Sequence, residues 1–299
     1  MITLNKCNIC PRECNIDRTK VKGYCNAKDK MVVARFSLHE WEEPPISGDK
    51  GSGTIFFSGC NLKCIFCQNY KISGELHGKE ISIDEFKDIC LKLQDIGAHN
   101  INIVTGTHFL PLIRDGIVKA RENGLTIPIV YNTSSYEKVE ALKELDGLVD
   151  IYLPDLKYYD NDLGKKYSSC DNYFEIATKA IDEMYRQVGK FVIKDDLMKK
   201  GMIVRHLMLP GHLDDSKKII KYLYDKYKDN IYISIMNQYT PVRKTEYDNL
   251  NRTVSDDEYN ELIDYALSLG IKNAFIQEGE TMKESFIPDF DIFDATKKD

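Results

Sequence analysis

Residues 58–69 read SGCNLKCIFCQN, which places Cys60, Cys64 and Cys67 at the spacing C-x3-C-x2-C on one short stretch. Thiolates are soft ligands for zinc and for iron–sulfur clusters, so three of them together invite metal chemistry. Structural zinc takes four protein ligands; catalytic zinc accepts three, drawn more often from histidine or carboxylate. An iron–sulfur cube also normally takes four cysteines. If three thiolates hold a cube, one iron keeps an open corner where a small molecule can bind through nitrogen and oxygen. On spacing alone the trio reads as such a cluster loop, as structural thiols, or as part of a zinc site.

A second set, Cys7, Cys10, Cys14 and Cys25, has spacing C-x2-C-x3-C-x10-C. Four thiols in so short a segment can complete a closed site, structural zinc or a further iron–sulfur cluster, with free or redox-switching thiols as the third reading. A structural metal would help to fold a segment that has few apolar residues. Disulfides are rare in the cytosol, where clustered cysteines point to metal or catalysis. Cys90 falls in an apolar helical pattern and reads as core, whereas Cys170 stands alone and carries no assignment.

The elements that must position these residues follow from periodicity. Residues 1–50 are rich in cysteine, poor in regular pattern, and end in a Pro/Gly-rich stretch. They read as a metal-binding extension ahead of a catalytic domain over 51–299. From there β-branched runs alternate with amphipathic segments. Strands are expected at 54–58, 101–105, 127–131, 149–153, 203–209, 231–236 and 273–277. Helices are expected at 83–97, 136–146 and 255–269. The tail around PDFD reads as irregular. Such alternation implies an α/β fold of parallel strands with crossover helices, either a full or partial (β/α) barrel or a doubly wound sheet. In each, chemistry gathers at the carboxyl ends of the strands. Cys60, Cys64 and Cys67 directly follow the first of them.

A net charge of −6 over 299 residues argues against a nucleic-acid partner. No apolar run approaches the roughly 20 residues needed to span a bilayer, so no membrane role is expected. The first residues lack an apolar signal region, and the expected location is cytoplasmic.

The cysteine loop, with Phe66 before its last cysteine, resembles the signature of the radical S-adenosylmethionine enzymes. SGTIFFSGCNLKCIFCQN is similar to the start of the pyruvate formate-lyase activating enzyme group. CNICPREC, HEWEEPPISG, VTGTHF, YNTSSYE, VDIYLPDLKYYD, VRHLMLPG and IMNQYTP resemble its PflX-type branch. The resemblance implies a partial (β/α) barrel with a Cys-rich N-terminal extension. It also implies a [4Fe-4S] cluster on Cys60, Cys64 and Cys67. In the family the amino and carboxylate groups of S-adenosylmethionine chelate the unique iron. One electron then cleaves a carbon–sulfur bond, and a 5′-deoxyadenosyl radical abstracts hydrogen from the substrate.

Site residues carry over by position. The family's Gly-Gly-Glu segment corresponds to Thr105, Gly106, Thr107 and His108, with histidine in place of the acid. Asn132, Thr133 and Ser134 fall where the activating enzymes hold Asp-Thr near the cofactor's carboxylate and ribose; the same short polar groups also suit a turn and a helix cap. Asp155 and Lys157 match an Asp-Leu-Lys whose lysine reaches the cofactor, with a surface salt bridge as the plainer reading. Asn237, Gln238 and Tyr239 fall where relatives contact the adenosine. Phe66 is expected beside the adenine, and Gln68 and Asn69 as loop-fixing residues. Arg205, in an apolar strand with His206, is expected as a buried partner or a substrate contact. The implied partners are a low-potential electron donor such as flavodoxin or ferredoxin, and a glycyl-radical protein as substrate. Modification of a small metabolite or a peptide is the alternative. A zinc-stabilised binding module without catalysis is the reading from another class.

Overall fold

The computed structural model of the chain describes residues 2–277 and 288–296. Its core is a single ten-stranded mixed sheet. The strands are β1 (Met31–His39), β2 (Ser52–Phe57), β3 (Lys79–Ile81), β4 (Ile101–Val104), β5 (Ile129–Thr133), β6 (Ile151–Pro154), β7 (Val192–Lys194), β8 (Leu197–Leu207), β9 (Tyr232–Met236) and β10 (Ala274–Ile276). Helices lie between them: α1 (Pro44–Ser47), α2 (Tyr70–Glu75), α3 (Ile83–Asp95), α4 (Leu110–Glu122), α5 (Val139–Leu142), α6 (Asn161–Ser168), α7 (Tyr173–Val188), α8 (Leu213–Tyr227) and α9 (Asp256–Ser268).

The order across the sheet is β10-β9-β8-β6-β5-β4-β2-β1-β3, with β7 paired to β8. From β2 to β10 every neighbouring pair on this path is parallel. β1 and β3 add an antiparallel edge. The parallel strands are covered on both faces, so they read as nearly continuous apolar runs; β2, β4, β5 and β6 are buried along their whole length. All seven strands expected from sequence are present, six of them within two residues of their expected bounds, while β8 starts six residues before its expected 203.

Three strands were not expected. β3 and β7 have three residues each and take their form from a neighbour. β1, nine residues long, lies inside the cysteine-rich segment read as irregular. It pairs along its length with β2, and the C-terminal stretch returns to it, with Phe36 N–H donating to Phe293 O at 2.9 Å. The helix expected at 136–146 is shorter: one turn at α5, then a 3-10 turn at Lys143–Leu145. Helices α3 and α9 begin with reciprocal capping boxes, Ser82 with Glu85 and Ser255 with Glu258. Cys90 is buried in the core, as its helical position suggested, and Cys170 is buried with its Sγ 3.6 Å from Gly164 O.

The short helix α1 packs across β8 through Ile46, which joins Val130, Ile151, Leu153, Met198 and Ile203 in a small apolar cluster. The chain leading into α1 thereby brings Glu42 and Glu43 beneath the strand ends, where the site lies.

Candidate active site

One cavity of about 540 Å³ opens at the carboxyl ends of the parallel strands. Cys60, Cys64 and Cys67 line it, with Phe66, Gln68 and Asn69 from the same loop. Val104 ends β4 and Thr105 follows it. Asn132, Thr133 and Ser134 end β5, Asp155 and Lys157 follow β6, and Arg205, Ser234 and Gln238 complete the far wall.

The loop is fixed at several points. Gly59 has φ of +88°, and a Cβ there would stand 2.6 Å from Cys25 O and 3.0 Å from His108 Nε2, so only glycine fits. Asn61 Nδ2 donates to Tyr136 O at 2.7 Å, and Arg12 Nε donates to Asn61 O at 2.8 Å. Gln68 Nε2 donates to Gln238 O at 2.8 Å, the loop-fixing role read from sequence. Each thiol has a local partner. Leu62 N–H lies 3.4 Å from Cys60 Sγ, Ser168 Oγ lies 2.8 Å from Cys64 Sγ, and Ser73 Oγ lies 3.4 Å from Cys67 Sγ. Among the described residues no three His, Cys, Asp or Glu side chains are gathered as they would be around a metal ion.

The donor set still fits a shared soft metal group. All three thiols face one cavity, and they are close enough that the charges of Cys64 and Cys67 add to burial in pushing Cys60 up to about 12. Burial likewise raises Cys64 to about 11, against the pull of the Lys157 ammonium. Such thiols stay protonated and inert until a cation displaces the protons.

A charged layer forms the floor. Asp155 Oδ2 accepts from Lys157 Nζ at 2.7 Å, and its Oδ1 accepts from Arg205 Nε at 2.9 Å. Arg205 also donates to Asn132 Oδ1 at 2.6 Å and lies 3.3 Å from Glu42 Oε2. Glu42 Oε1 accepts from Asn102 Nδ2 at 3.0 Å. Asp155 and Lys157 are each only 17% exposed, so their pair is internal, not a surface bridge. The two cations outweigh burial and hold the Asp155 carboxyl below its ordinary range. Burial raises Glu42 and Glu43, with Arg205 opposing it.

Of the remaining residues expected at the cofactor, all but Thr105 are set back from the cavity wall. Thr105 lines it, with a left-handed φ of +59° that is uncommon for a β-branched residue. Gly106, Thr107 and His108 turn away into the short helix Thr107–Phe109. A Cβ on Gly106 would stand 2.5 Å from Ile113 Cδ1. Thr107 Oγ1 donates to Glu137 Oε1 at 2.6 Å, as does Thr133 Oγ1 at the same distance. His108 is buried beneath the cysteine loop. Its Nε2 lies 2.8 Å from Ser58 O; since a carbonyl only accepts, Nε2 carries the proton. Burial drives this imidazole down to about 3, so it is neutral. Tyr239 stands behind Phe66, ring centroids 5.9 Å apart, with its hydroxyl donating to Leu250 O.

The N-terminal thiols lie together. A Cβ on Gly23 would meet Cys25 Sγ at 3.4 Å and Cys14 Sγ at 3.8 Å, and Cys7 influences the ionisation of both Cys10 and Cys25. Cys7 N–H and C=O bond Ile16 and Asn15 across the same turn. The segment is joined to the cysteine loop through Arg12 and to the end of β4 through Arg18, which donates to His108 O at 2.5 Å.

Residues 54–236 match the Radical SAM superfamily, and the chain belongs to that family. It is a radical S-adenosylmethionine-type oxidoreductase, which sets aside the non-catalytic zinc module. An uncharacterized protein of Methanocaldococcus jannaschii is 32% identical over 87% of this chain and 74% of its own length. The pyruvate formate-lyase-activating enzyme of Staphylococcus aureus is 25% identical over 56% of this chain and 65% of its own. The crystal structure of Streptococcus suis SuiB bound to precursor peptide SuiA shares the fold. The TM-score is 0.51 and the identity 15%, over 73% of this chain and 46% of that one. Among the described residues no helix is long and apolar enough to cross a membrane.

Three acids in and around the site, Glu42, Glu43 and Glu137, had no role assigned from sequence. Glu42 sits in a proline-rich stretch that reads as a solvated loop. Glu137 follows a polar run that reads as a helix start. Their burial comes from tertiary packing, which no local pattern marks; the two prolines after Glu43 signal only the start of α1.

Proposed function

We propose that Cys60, Cys64 and Cys67 hold a [4Fe-4S] cluster and that S-adenosylmethionine occupies the cavity they line. The observation that carries this reading is the convergence of the three thiols with Lys157, Asp155 and Asn132 on one cavity wall. When bound, the cluster supplies the electron that cleaves S-adenosylmethionine to a 5′-deoxyadenosyl radical. The chain's own residues bind and orient. Lys157, 2.7 Å from Asp155, offers an ammonium of fixed position to a carboxylate or ribose hydroxyls. Asn132, Thr133 and Ser134 present short polar groups beside it. Phe66 offers an aromatic face, and Gln68 holds the loop to Gln238. Asp155 and Arg205 position one another and Asn132. The open run of parallel strands is read as the partial (β/α) barrel, with residues 51–299 as the catalytic unit and 1–50 as its extension.

Cys7, Cys10, Cys14 and Cys25 form a second metal site, zinc or iron–sulfur, that stiffens the segment packed on the cysteine loop. The substrate is a glycyl-radical protein, a reading supported by likeness to a pyruvate formate-lyase-activating enzyme of which the chain spans 65%. A peptide or small metabolite is the second reading, favoured by the charged groups Asp155, Lys157 and Arg205 that line the cavity. The reductant is a flavodoxin or ferredoxin. Anaerobic reconstitution, dithionite reduction and assay of 5′-deoxyadenosine test the chemistry. Pull-down with candidate glycyl-radical proteins separates the two substrates: specific capture supports the first, and its absence with intact cleavage activity supports the second.

A further inference from the structure

The charged floor of the cavity is unbalanced. Three carboxylates line it, Glu42, Glu43 and Asp155, against two cations, Arg205 and Lys157. Asp155 takes both cations at hydrogen-bond distance, and Glu42 takes Arg205 at 3.3 Å. Glu43 feels Arg205 only through space, and its hydrogen-bonding support comes from the neutral Ser234 and its own backbone. It is 8% exposed, and its Oε2 is buried with no hydrogen-bond partner among the described residues. With nothing beside it, burial favours its neutral acid; the ionised carboxylate needs a cation to pair with.

The surroundings say what would. A divalent metal needs several hard ligands, and two of the three carboxylates, Asp155 and Glu42, are already taken up by Lys157 and Arg205. Trp41, 68% exposed, lines the same cavity next in sequence to the acids, and Phe275 lines it from β10. Carboxylate and aromatic faces together suit an organic cation.

We propose that Glu43, supported by Glu42, is the binding site for a primary ammonium group in this cavity. The proposal rests on the reading of the cavity as the cofactor and substrate site. Because the amino group of S-adenosylmethionine is committed to the cluster iron in that reading, the ammonium is brought by an amine-bearing substrate.

The test is anaerobic titration calorimetry on the reconstituted full chain, with 1,5-diaminopentane, neutral 1,5-pentanediol and S-adenosylmethionine as probes. Diaminopentane is expected to bind and pentanediol not. Glu43→Gln is expected to weaken the binding of diaminopentane about tenfold or more, the scale of a charge-assisted hydrogen bond, and to leave that of S-adenosylmethionine unchanged. Glu43→Asp should restore part of the loss, and the exposed Glu40→Gln should change neither. Diaminopentane and S-adenosylmethionine are expected to bind together; mutual exclusion overturns the assignment to a substrate. Unchanged affinity for diaminopentane in a Glu43→Gln protein that melts like the parent overturns the proposal. Because binding is read without turnover, that failure is distinct from loss of 5′-deoxyadenosine formation, which would overturn the catalytic reading instead.

Discussion

Arg205 and Asp155 are joined twice. Their backbones form a parallel bridge just beyond the paired parts of β6 and β8, and Arg205 Nε donates to Asp155 Oδ1 at 2.9 Å. The same guanidinium reaches Asn132 and Glu42, so one side chain ties β5, β6, β8 and the segment before α1 into one floor. Replacing Arg205 with Met would leave two buried carboxylates short of a partner. The expected loss of stability is about 3–5 kcal/mol, the usual result of breaking a buried pair from one side. Urea denaturation measures it; a loss under about 1 kcal/mol would place the pair in solvent-like surroundings.

Gly59 couples the cysteine loop to the N-terminal segment. Gly59→Ala would drive a methyl group into Cys25 O while forcing a non-glycine residue to positive φ. Gly124 has φ of +101°, and a Cβ added there would meet nothing within 4 Å, so it isolates the backbone component. Gly124→Ala is expected to cost about 1 kcal/mol, and Gly59→Ala at least about twice that, with lower iron content after reconstitution. Equal melting temperatures and equal iron for the two variants would mean that the N-terminal segment does not brace the loop.

Glu137 makes stability depend on pH. It is buried, takes three hydroxyl donors on Oε1, and leaves Oε2 without a partner among the described residues. Burial raises its carboxyl from 4.5 to about 7. The folded state therefore binds more protons than the unfolded chain between those values. Stability from this group is full below about pH 4.5 and is lost as pH rises through about 7, a swing of roughly 3 kcal/mol. His108 and His206 act oppositely: burial holds them near 3 and near 4, so each costs stability as pH falls below its ordinary 6.5. Subtracting the urea stability profile of Glu137→Gln from that of the parent isolates Glu137. The difference should fall between about pH 4.5 and 7.5; a flat difference would contradict the burial of this carboxylate.

Much of this architecture was legible from residue types. TIFFS, INIVT and IYISIM could be read as strands because the runs are rich in β-branched and aromatic residues that bury against both faces. The thiols at Cys60, Cys64 and Cys67 were legible because their spacing has few uses. β1 was not, although MVVARFSLH is apolar, because it pairs antiparallel through contacts that local pattern does not encode. Thr107 and His108 follow β4 as expected, yet the chain turns them inward to Glu137 and Ser58, away from the cavity. Glu42, Glu43 and Glu137 are the reverse case. Charged residues in polar stretches read as surface, and only the placement of α1 against β8 and of residue 137 under the strand ends buries them.

The most direct measurement of the central claim is 5′-deoxyadenosine formation by anaerobically reconstituted, dithionite-reduced protein beside its Cys64→Ala variant, with Cys90→Ala as the control in the core. The parent and Cys90→Ala should be brown and form 5′-deoxyadenosine, while Cys64→Ala should lose both colour and product. Product formation by Cys64→Ala, or a colourless parent that holds only zinc, would contradict the account.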